Sequence, residues 1–152
     1  MEKGRRKRQD TSGVHLWLVL TKAFHALMAH AEKSLNLSQA GIGDSDFRVL
    51  EVLLHKGPLP VNTIGPKVFL TPGSISVAVD RLEKKALVER KNTDDRRVRL
   101  VELTAQGRAL ITKTFREHAT AMEAAAGTLS EKERLVLLRL LKKLGKGGNS
   151  ES

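Results

Sequence analysis

The sequence contains no cysteine and no tyrosine, and aromatic residues make up only 3% of its 152 residues. Without cysteine the chain cannot form a disulfide framework, a thiol nucleophile, a thiol redox switch or a zinc site with cysteine ligands. A core with few aromatic residues must be packed mainly with Leu, Val, Ile and Ala, which favours helices. We therefore predict a mainly α protein, and its length and 40% hydrophobic content are typical of one domain.

Long apolar runs are also missing, since none approaches the ~20 residues of a membrane-spanning helix. The first ten residues, MEKGRRKRQD, do not lead into a signal-peptide hydrophobic region. These absences predict a soluble, cytoplasmic protein. No glycine-rich phosphate loop, HExxH or GxSxG motif occurs, so we predict no enzyme, no catalytic residue and no cofactor. We predict no metal site either, because His25 and His30 are five residues apart and would not share a helix face.

Positive charge is in clear excess, with 27 Lys and Arg against 17 Asp and Glu, for a net charge of +10. Such an excess favours a polyanionic partner, which can be nucleic acid, an anionic membrane surface or an acidic protein. Composition does not choose among them. A membrane partner would need a basic amphipathic helix, and the apolar faces of the long helices are better explained by dimerisation, so we predict no membrane partner. Residues 1–12 and 145–152 are predicted to be disordered tails. The basic first tail is either solvated charge or an arm attracted to phosphate.

The two ends of the chain carry more apolar residues than one contact needs. Their spacing predicts a helix over about 14–36 with Ser12 as its cap. A capping box of Ser130 and Glu133 opens a last helix that is predicted to end at Gly145. A helix at the end of a small chain cannot hide so much apolar surface in its own domain. We predict pairing with a second copy, against the alternative of an intramolecular core, through Leu16, Trp17, Leu20, Leu137, Leu138, Leu141 and Leu144.

The middle of the chain has the pattern of a helix-turn-helix. Asp44 or Ser45 is the predicted cap of a first helix, which Gly57 closes, and a short segment over 60–68 follows. Pro66 removes a backbone donor from this segment, so we expect a short helix with an irregular end.

The next helix is predicted to begin at Thr71 as its cap, with Pro72 as its first residue. The exposed side of this helix, opposite its buried face, begins with small polar residues. These residues allow close approach to a groove, and their hydroxyls can meet phosphate oxygens or base edges. Val77 on that side is either a partner for a thymine methyl group or one of the isolated exposed valines common on protein surfaces. The buried face is predicted to carry Ile75, Val79, Leu82 and Ala86.

Two β-prone runs, ALVERK and VRLVEL, follow, joined by the turn-forming loop NTDDRR. They predict a hairpin whose register is not assigned, because the apolar residues Leu100 and Val101 are adjacent. Arg96 and Arg97 at the tip repel each other, so a phosphate or minor-groove role accounts for their position better than folding does. Asp95 is close enough in sequence to pair with the guanidinium of Arg97. The alternative is a solvated charged turn.

After the hairpin, Thr104 is the predicted cap of a further helix. Its main apolar positions are predicted to be Ala109, Leu110, Phe115, Ala119, Met122 and Ala126.

The run from LTPGSISVAVDRLEKKALVERK through NTDDRRVRLVELTAQG resembles the MarR/SlyA-type bacterial transcription regulators, with DDRRVRLVELTAQG the most specific part. The resemblance extends over about residues 16–144. It implies a single MarR-type domain over 13–144, with a winged helix-turn-helix at about 45–104 and dimerisation helices at about 14–36 and 105–144. It also implies a homodimer that binds a pseudo-palindromic operator in double-stranded DNA as a ligand-responsive repressor. The alternative is a sequence-nonspecific architectural DNA-binding protein, since charge and a winged helix do not prove regulation.

The resemblance also implies roles for individual residues. The recognition helix would begin at Pro72 and turn Ser74, Ser76 and Val77 towards the major groove, while Arg97 of the D-x-R motif would enter the minor groove. This sequence departs from the family at Pro66 and at Ala86, where glycine is frequent. The predicted DNA-binding set is Thr71, Pro72, Ser74, Ser76, Val77, Arg81, Asp95, Arg96 and Arg97.

A small aromatic or lipophilic effector is a further partner that the resemblance implies. Family members often release DNA when such a molecule binds between the dimerisation helices and the DNA-binding lobe. The alternative for each candidate pocket residue is a core or solvated position. The residues that can line such a pocket are Trp17, Phe24, His25, Phe47 and His118.

Overall fold

A computed structural model of the chain describes residues 9–34, 40–95 and 97–147. It is mostly helical with a small three-stranded antiparallel sheet, which confirms the predicted fold class. The predictions for residues 1–8, for residues 35–36 at the end of the first helix, for Arg96 and for residues 148–152 lie outside the described residues. In chain order the elements are α1 (Gly13–Ser34), α2 (Asp44–Lys56), β1 (Leu59–Pro60), α3 (Val61–Val68), α4 (Pro72–Lys84), β2 (Val88–Asn92), β3 (Arg99–Leu103), α5 (Ala105–Ala126) and α6 (Glu131–Gly147).

The chain divides into two units. The central unit comprises Glu32–Thr120, and the terminal unit comprises Met1–Ala31 with Ala121–Ser152. The central unit therefore contains the sheet and α2 to α4, whereas the terminal unit contains nearly all of α1, the end of α5, and α6.

Both long helices of the terminal unit begin as predicted. Ser12 Oγ accepts the N–H of His15 at 3.2 Å at the start of α1. At the start of α6, the N–H of Ser130 donates to Glu133 Oε2 at 2.8 Å and the N–H of Glu133 donates back to Ser130 Oγ at 3.4 Å. The predicted end of this helix at Gly145 is wrong, because α6 continues to Gly147. A glycine costs a helix only about 1 kcal/mol, which does not force the helix to end.

The sheet of the central unit has the strand order β1-β3-β2. Val101 in the middle strand pairs with Leu59 of β1 and with Arg90 of β2. This register resolves the adjacent apolar residues, since Val101 is fully buried and Leu100 is half-buried. The sequence pattern did not predict β1, because two residues are too few to show the alternation that marks a strand.

The hydrophobic core of the central unit is shared by α2, α3, α4, the sheet and the first half of α5. Helix α5 begins directly against the chain that enters β2, and a Cβ added to Gly107 would lie 1.8 Å from the carbonyl oxygen of Leu87. Only glycine permits this close approach. The buried apolar residues are Ile42, Phe47, Val49, Leu50, Leu53, Ile64, Val68, Ile75, Ala78, Val79, Leu82, Leu87, Val88, Val101 and Ile111.

Two local predictions in the central unit are wrong. The cap of α2 is Gly43 instead of Asp44 or Ser45, because the carboxylate of Asp46 reaches back to accept the N–H of Gly43 at 3.0 Å. Ala86 is not on the buried face of α4, since that helix ends at Lys84. Ala86 is exposed, with φ 55° in the left-handed region that favours glycine.

Candidate DNA-binding surface

Helices α3 and α4 form a helix-turn-helix with a short first helix. Helix α3 has eight residues and contains Pro66, as the sequence predicts, and it ends in a left-handed residue, Phe69, with φ 56°. The N–H of Leu70 donates to the carbonyl of Gly65 at 3.0 Å and closes the turn. The side chain of Phe69 is 91% exposed.

The start of α4 is capped by Thr71, as predicted. Thr71 Oγ1 accepts the N–H of Ser74 at 3.2 Å, and the two hydroxyl oxygens lie 2.9 Å apart. Ile75, Ala78, Val79 and Leu82 anchor the opposite face of the helix in the core. The predicted groove-facing residues therefore share one exposed surface: Thr71, Pro72, Ser74, Ser76 and Val77.

Arg81, also in the predicted DNA-binding set, has a partner within the protein. Its Nε lies 2.9 Å from Asp46 Oδ1, its Nη2 lies 2.5 Å from the same oxygen, and Nη2 also donates to Ser45 Oγ at 3.0 Å. Asp46 is 1% exposed, and its hydrogen bond raises the pKa of Arg81 against the opposing effect of desolvation. The pair fixes α4 to the start of α2. Sequence reasoning missed it because its members are 35 residues apart.

A second arginine joins α4 to the hairpin, which forms the wing. Arg90 of β2 lies 2.6 Å from the carboxylate of Asp80 and also pairs with Glu83. The hydrogen bond that the Arg90 guanidinium donates to Asp80 is the main reason that the pKa of Arg90 is raised. The Arg81 pair therefore ties α4 to α2, and the Arg90 pairs tie α4 to the wing.

At the wing tip the carboxylate of Asp95 accepts the backbone N–H of Arg97 at 3.0 Å. Among residues 9–34, 40–95 and 97–147, no carboxylate lies within ion-pair distance of the Arg97 guanidinium. The predicted pairing of Asp95 with that guanidinium is therefore wrong. A short aspartate side chain reaches the backbone two residues further on more easily, and it forms an Asx turn. Arg96 lies outside the described residues.

The terminal unit presents an apolar groove of about 710 Å³ between α1 and α6. The structure brings five residues of the predicted dimerisation set to this groove, and Trp17 and Leu138 are exposed elsewhere on the two helices. The five are Leu16, Leu20, Leu137, Leu141 and Leu144.

The candidate effector residues fall into two groups, one in each unit. In the central unit Phe47 is buried and packs edge-to-face on His118 with ring centroids 5.3 Å apart. The buried Nδ1 of His118 has no hydrogen-bond partner within the described part of the chain. In the terminal unit Phe24 contacts His25 edge-to-face at 5.9 Å, and Trp17 is 62% exposed.

A helix-turn-helix with an adjoining basic hairpin defines the class of protein as a winged helix DNA-binding protein. A sequence profile described as the MarR family matches residues 40–98. The HTH-type transcriptional regulator MhqR of Bacillus subtilis (strain 168) is 37% identical over 131 residues, which cover 86% of this chain and 89% of MhqR. The chain belongs to the MarR family of helix-turn-helix transcription regulators, which are DNA-binding proteins and not enzymes.

Solved structures agree with this assignment. NadR in complex with 4-hydroxyphenylacetate has a TM-score of 0.74 and 28% identity, and the match covers 90% of this chain and 99% of NadR. BpsR of Bordetella bronchiseptica, studied for regulation of its DNA binding by 6-hydroxynicotinic acid, shares the fold at 23% identity and a TM-score of 0.76. That match covers 86% of this chain and 98% of BpsR. None of the described helices is long and apolar enough to span a membrane.

Proposed function

We propose that this protein is a ligand-responsive repressor that binds a pseudo-palindromic operator as a homodimer. The observation that carries the proposal is the capped, exposed start of α4, held by the ion pairs of Arg90 beside a wing that carries Arg97. Two reading elements with a fixed separation can contact a major groove and the neighbouring minor groove together. The net charge of +10 supplies attraction to phosphate along the whole site.

In this proposal Ser74, Ser76 and Val77 read base edges in the major groove, and Thr71 and Pro72 allow the helix end to come close. Arg97 enters the minor groove with Arg96 beside it, because a narrow minor groove concentrates negative potential. Asp95 contributes indirectly by fixing the backbone at Arg97. Near the C-terminal end of α4, Arg81 offers positive charge to DNA phosphates while Asp46 accepts hydrogen bonds from two of its nitrogens.

The homodimer is supported by the apolar surface of α1 and α6. Fifteen large apolar residues of these helices are 38–70% exposed. Exposing so much apolar surface to water would be unfavourable in a monomer. The groove that Leu20 and Leu141 line suits a two-fold contact, in which the same surface of each copy faces the other. Two-fold symmetry would place two recognition helices in successive major grooves about 10 base pairs apart.

The effector is proposed to be a small aromatic molecule. NadR, which is 28% identical to this chain, binds such a molecule in its solved complex with 4-hydroxyphenylacetate. This chain offers aromatic and imidazole side chains that can stack on and hydrogen-bond to a ligand of that class. The residues proposed to contact such a ligand are Trp17, Phe24 and His25 in the terminal unit and Phe47 and His118 in the central unit.

The proposal is tested by comparing binding to the DNA upstream of the protein's own gene with binding to scrambled DNA of equal length. We expect preference for the upstream DNA, and a loss of about 1–3 kcal/mol in Arg97→Ala with the dimer intact. Arg116→Ala removes an equal charge from an exposed position on α5 and serves as the control. Equal affinity for both duplexes, with the same salt dependence, would instead support an architectural DNA-binding protein.

The regulatory half of the proposal needs a separate measurement. A reporter gene placed behind the bound site is expected to be silenced by the protein and restored by an aromatic acid that also releases the DNA in vitro. Activation of the reporter would contradict the repressor assignment. A compound screen in which non-aromatic compounds release the DNA and no aromatic compound does would contradict the effector class.

A further inference from the structure

A cleft of about 520 Å³ lies between the first turn of α3 and the segment that leads from the wing tip into β3. Both of its charged lining residues are arginines, and the two aspartates of the wing tip do not line it. The lining residues are Pro60, Val61, Asn62, Thr63, Arg97, Val98 and Arg99. The cleft is therefore a basic cleft, with no acidic side chain among the described residues that line it.

The two arginines are not neutralised by ion pairs either. Within the described ranges, neither Arg97 nor Arg99 has a carboxylate oxygen within 4.0 Å, whereas Arg48 and Arg81 each pair with one carboxylate and Arg90 pairs with two. Two uncompensated guanidinium groups on one cleft repel each other, and an anion bound between them would offset that repulsion.

Of the neutral polar residues of the cleft, Asn62 adds hydrogen-bond donors. The amide side chain of Asn62 makes no hydrogen bond within the part of the chain that the structure describes, so its N–H groups can donate to a ligand. The hydroxyl of Thr63 already donates to the carbonyl of Pro60 at 2.9 Å. The groups that remain for a ligand are thus mainly donors, which suits an anion with several acceptor oxygens.

Arg99 is better fixed than a residue of the wing tip. It is the first residue of β3 and is paired in register with Asn92 of β2. A side chain on a strand is held more precisely than one on a loop, which lowers the cost of ordering it around a ligand.

We propose that Arg99 and Asn62 bind one phosphate of the DNA backbone, beside the minor groove that Arg97 is proposed to enter. The inference rests on the proposed function, because it assigns a part of the same DNA to a cleft next to the wing. The two arginines of the cleft then have separate roles. Arg97 recognises the shape of the minor groove, and Arg99 fixes the position of the wing along the DNA backbone. A phosphate contact positions a protein but does not distinguish sequences.

The first experiment measures affinity of the full-length homogeneous protein for its operator duplex over a series of salt concentrations. We expect Arg99→Ala to weaken binding about tenfold on operator and scrambled DNA alike, and to reduce the slope of log affinity against log salt by about one. Arg99→Lys should keep the slope, since it keeps the charge. Asn62→Ala should weaken binding without changing the slope. Arg116→Ala, the exposed control on α5, should change the slope by less than Arg99→Ala.

The second experiment locates the phosphate. Operator duplexes with one neutral methylphosphonate at a time are bound to the wild-type protein and to Arg99→Ala. We expect one position per half-site at which the methylphosphonate lowers the affinity of the wild-type protein but does not lower that of Arg99→Ala any further. An unchanged salt slope in Arg99→Ala, or the same loss at every position in both proteins, would overturn the proposal. A thermal melt shows whether the variants are folded.

Free phosphate is the other source of the same chemistry. Inorganic phosphate, compared with chloride at matched ionic strength, is expected to inhibit DNA binding equally in the wild-type protein and in Arg99→Ala. Stronger inhibition of the wild-type protein, together with no methylphosphonate position that distinguishes the two proteins, would assign the cleft to free phosphate and contradict the assignment to the DNA backbone. Failure of the phosphate site leaves the preference for operator DNA intact, whereas failure of the proposed function abolishes that preference in the wild-type protein.

Discussion

The two units of this chain bury their apolar residues in opposite ways. In the central unit Leu50, Leu53 and Leu82 are at most 1% exposed, and a continuous core joins its helices to the sheet. In the terminal unit no described side chain of α1 or α6 is buried. Every exposed large apolar residue of the described chain lies in these two helices except Phe69 and Val77.

This difference separates folding from assembly. The central unit completes its core within one chain, so the helix-turn-helix and the wing do not need a partner to take their shape. Helices α1 and α6 of the terminal unit are as rich in apolar residues as a core, but these residues are exposed in the single chain. This is typical of one half of a subunit interface. The two exceptions, Phe69 and Val77, belong to the helix-turn-helix, where the proposed partner is DNA.

The largest effect is expected from Leu141→Asp, which places a charge in the apolar groove of the terminal unit. If the groove is the subunit interface, each dimer buries two unpaired carboxylates, at several kcal/mol each. We expect the dimer dissociation constant to rise more than about 100-fold, measured by sedimentation velocity over a range of concentrations. Lys142→Asp is the control, because Lys142 is next to Leu141 on the same helix but does not line the groove. An unchanged dissociation constant in Leu141→Asp would show that the groove is not the interface.

A pair of glycine substitutions sharpens the contrast between the units. Gly107→Ala puts a Cβ 1.8 Å from a backbone oxygen, so α5 must shift from the sheet, and we expect a loss of about 3 kcal/mol in unfolding free energy. In Gly145→Ala the new Cβ meets no atom within 4 Å, and alanine favours the helix by about 1 kcal/mol. Urea unfolding at one fixed protein concentration measures both changes. Equal destabilisation by the two variants would contradict the difference in packing.

Local chemistry predicted much of this fold because the deciding groups are near each other in sequence. Thr71 and Ser130 cap their helices through residues three positions away, and Pro66 limits α3 from within. The exposed face of α4 followed from the spacing of Ile75, Val79 and Leu82. These features require no knowledge of how distant segments meet.

Contacts between distant segments could not be read in this way. Nothing local pairs Asp46 with Arg81, and the two residues of β1 become a strand only because β3 lies beside them. On α5, Ala109 and Ala119 are exposed where an apolar face was predicted, since alanine is small enough for either side. Thr114 is buried there because its hydroxyl donates to the carbonyl of Leu110 at 2.9 Å.

A smaller gain in stability is expected from Ala86→Gly in the central unit. Ala86 holds a left-handed backbone conformation, φ 55°, that costs a residue with a Cβ about 1 kcal/mol. Glycine removes that cost but gains freedom in the unfolded chain, so we expect a net gain of about 0.5 kcal/mol in thermal melts. Ala109→Gly, at an exposed helical position in the same unit, should instead lower stability by about 1 kcal/mol. Destabilisation by both variants would refute the assignment of strain to Ala86.

The smallest effect concerns the pH dependence of the terminal unit. Hydrogen bonds from the hydroxyl and the N–H of Ser130 hold the pKa of Glu133 below its ordinary value of 4.5. A carboxyl with a lower pKa in the folded state stabilises that state above the unfolded pKa, and this contribution is lost as pH falls through the folded pKa. Glu133→Gln keeps an acceptor for the cap but cannot titrate.

The melting temperature of the wild-type protein relative to Glu133→Gln is therefore expected to decrease as pH falls from about 6 to about 3. Other carboxylates, such as Glu102, whose pKa is lowered by its hydrogen bond with Lys91, are present in both proteins and largely cancel in the difference. The change should be small because Glu133 is exposed. A difference that stays constant with pH would mean that the ionised carboxylate adds nothing to the cap, and that the hydrogen bonds alone fix the start of α6.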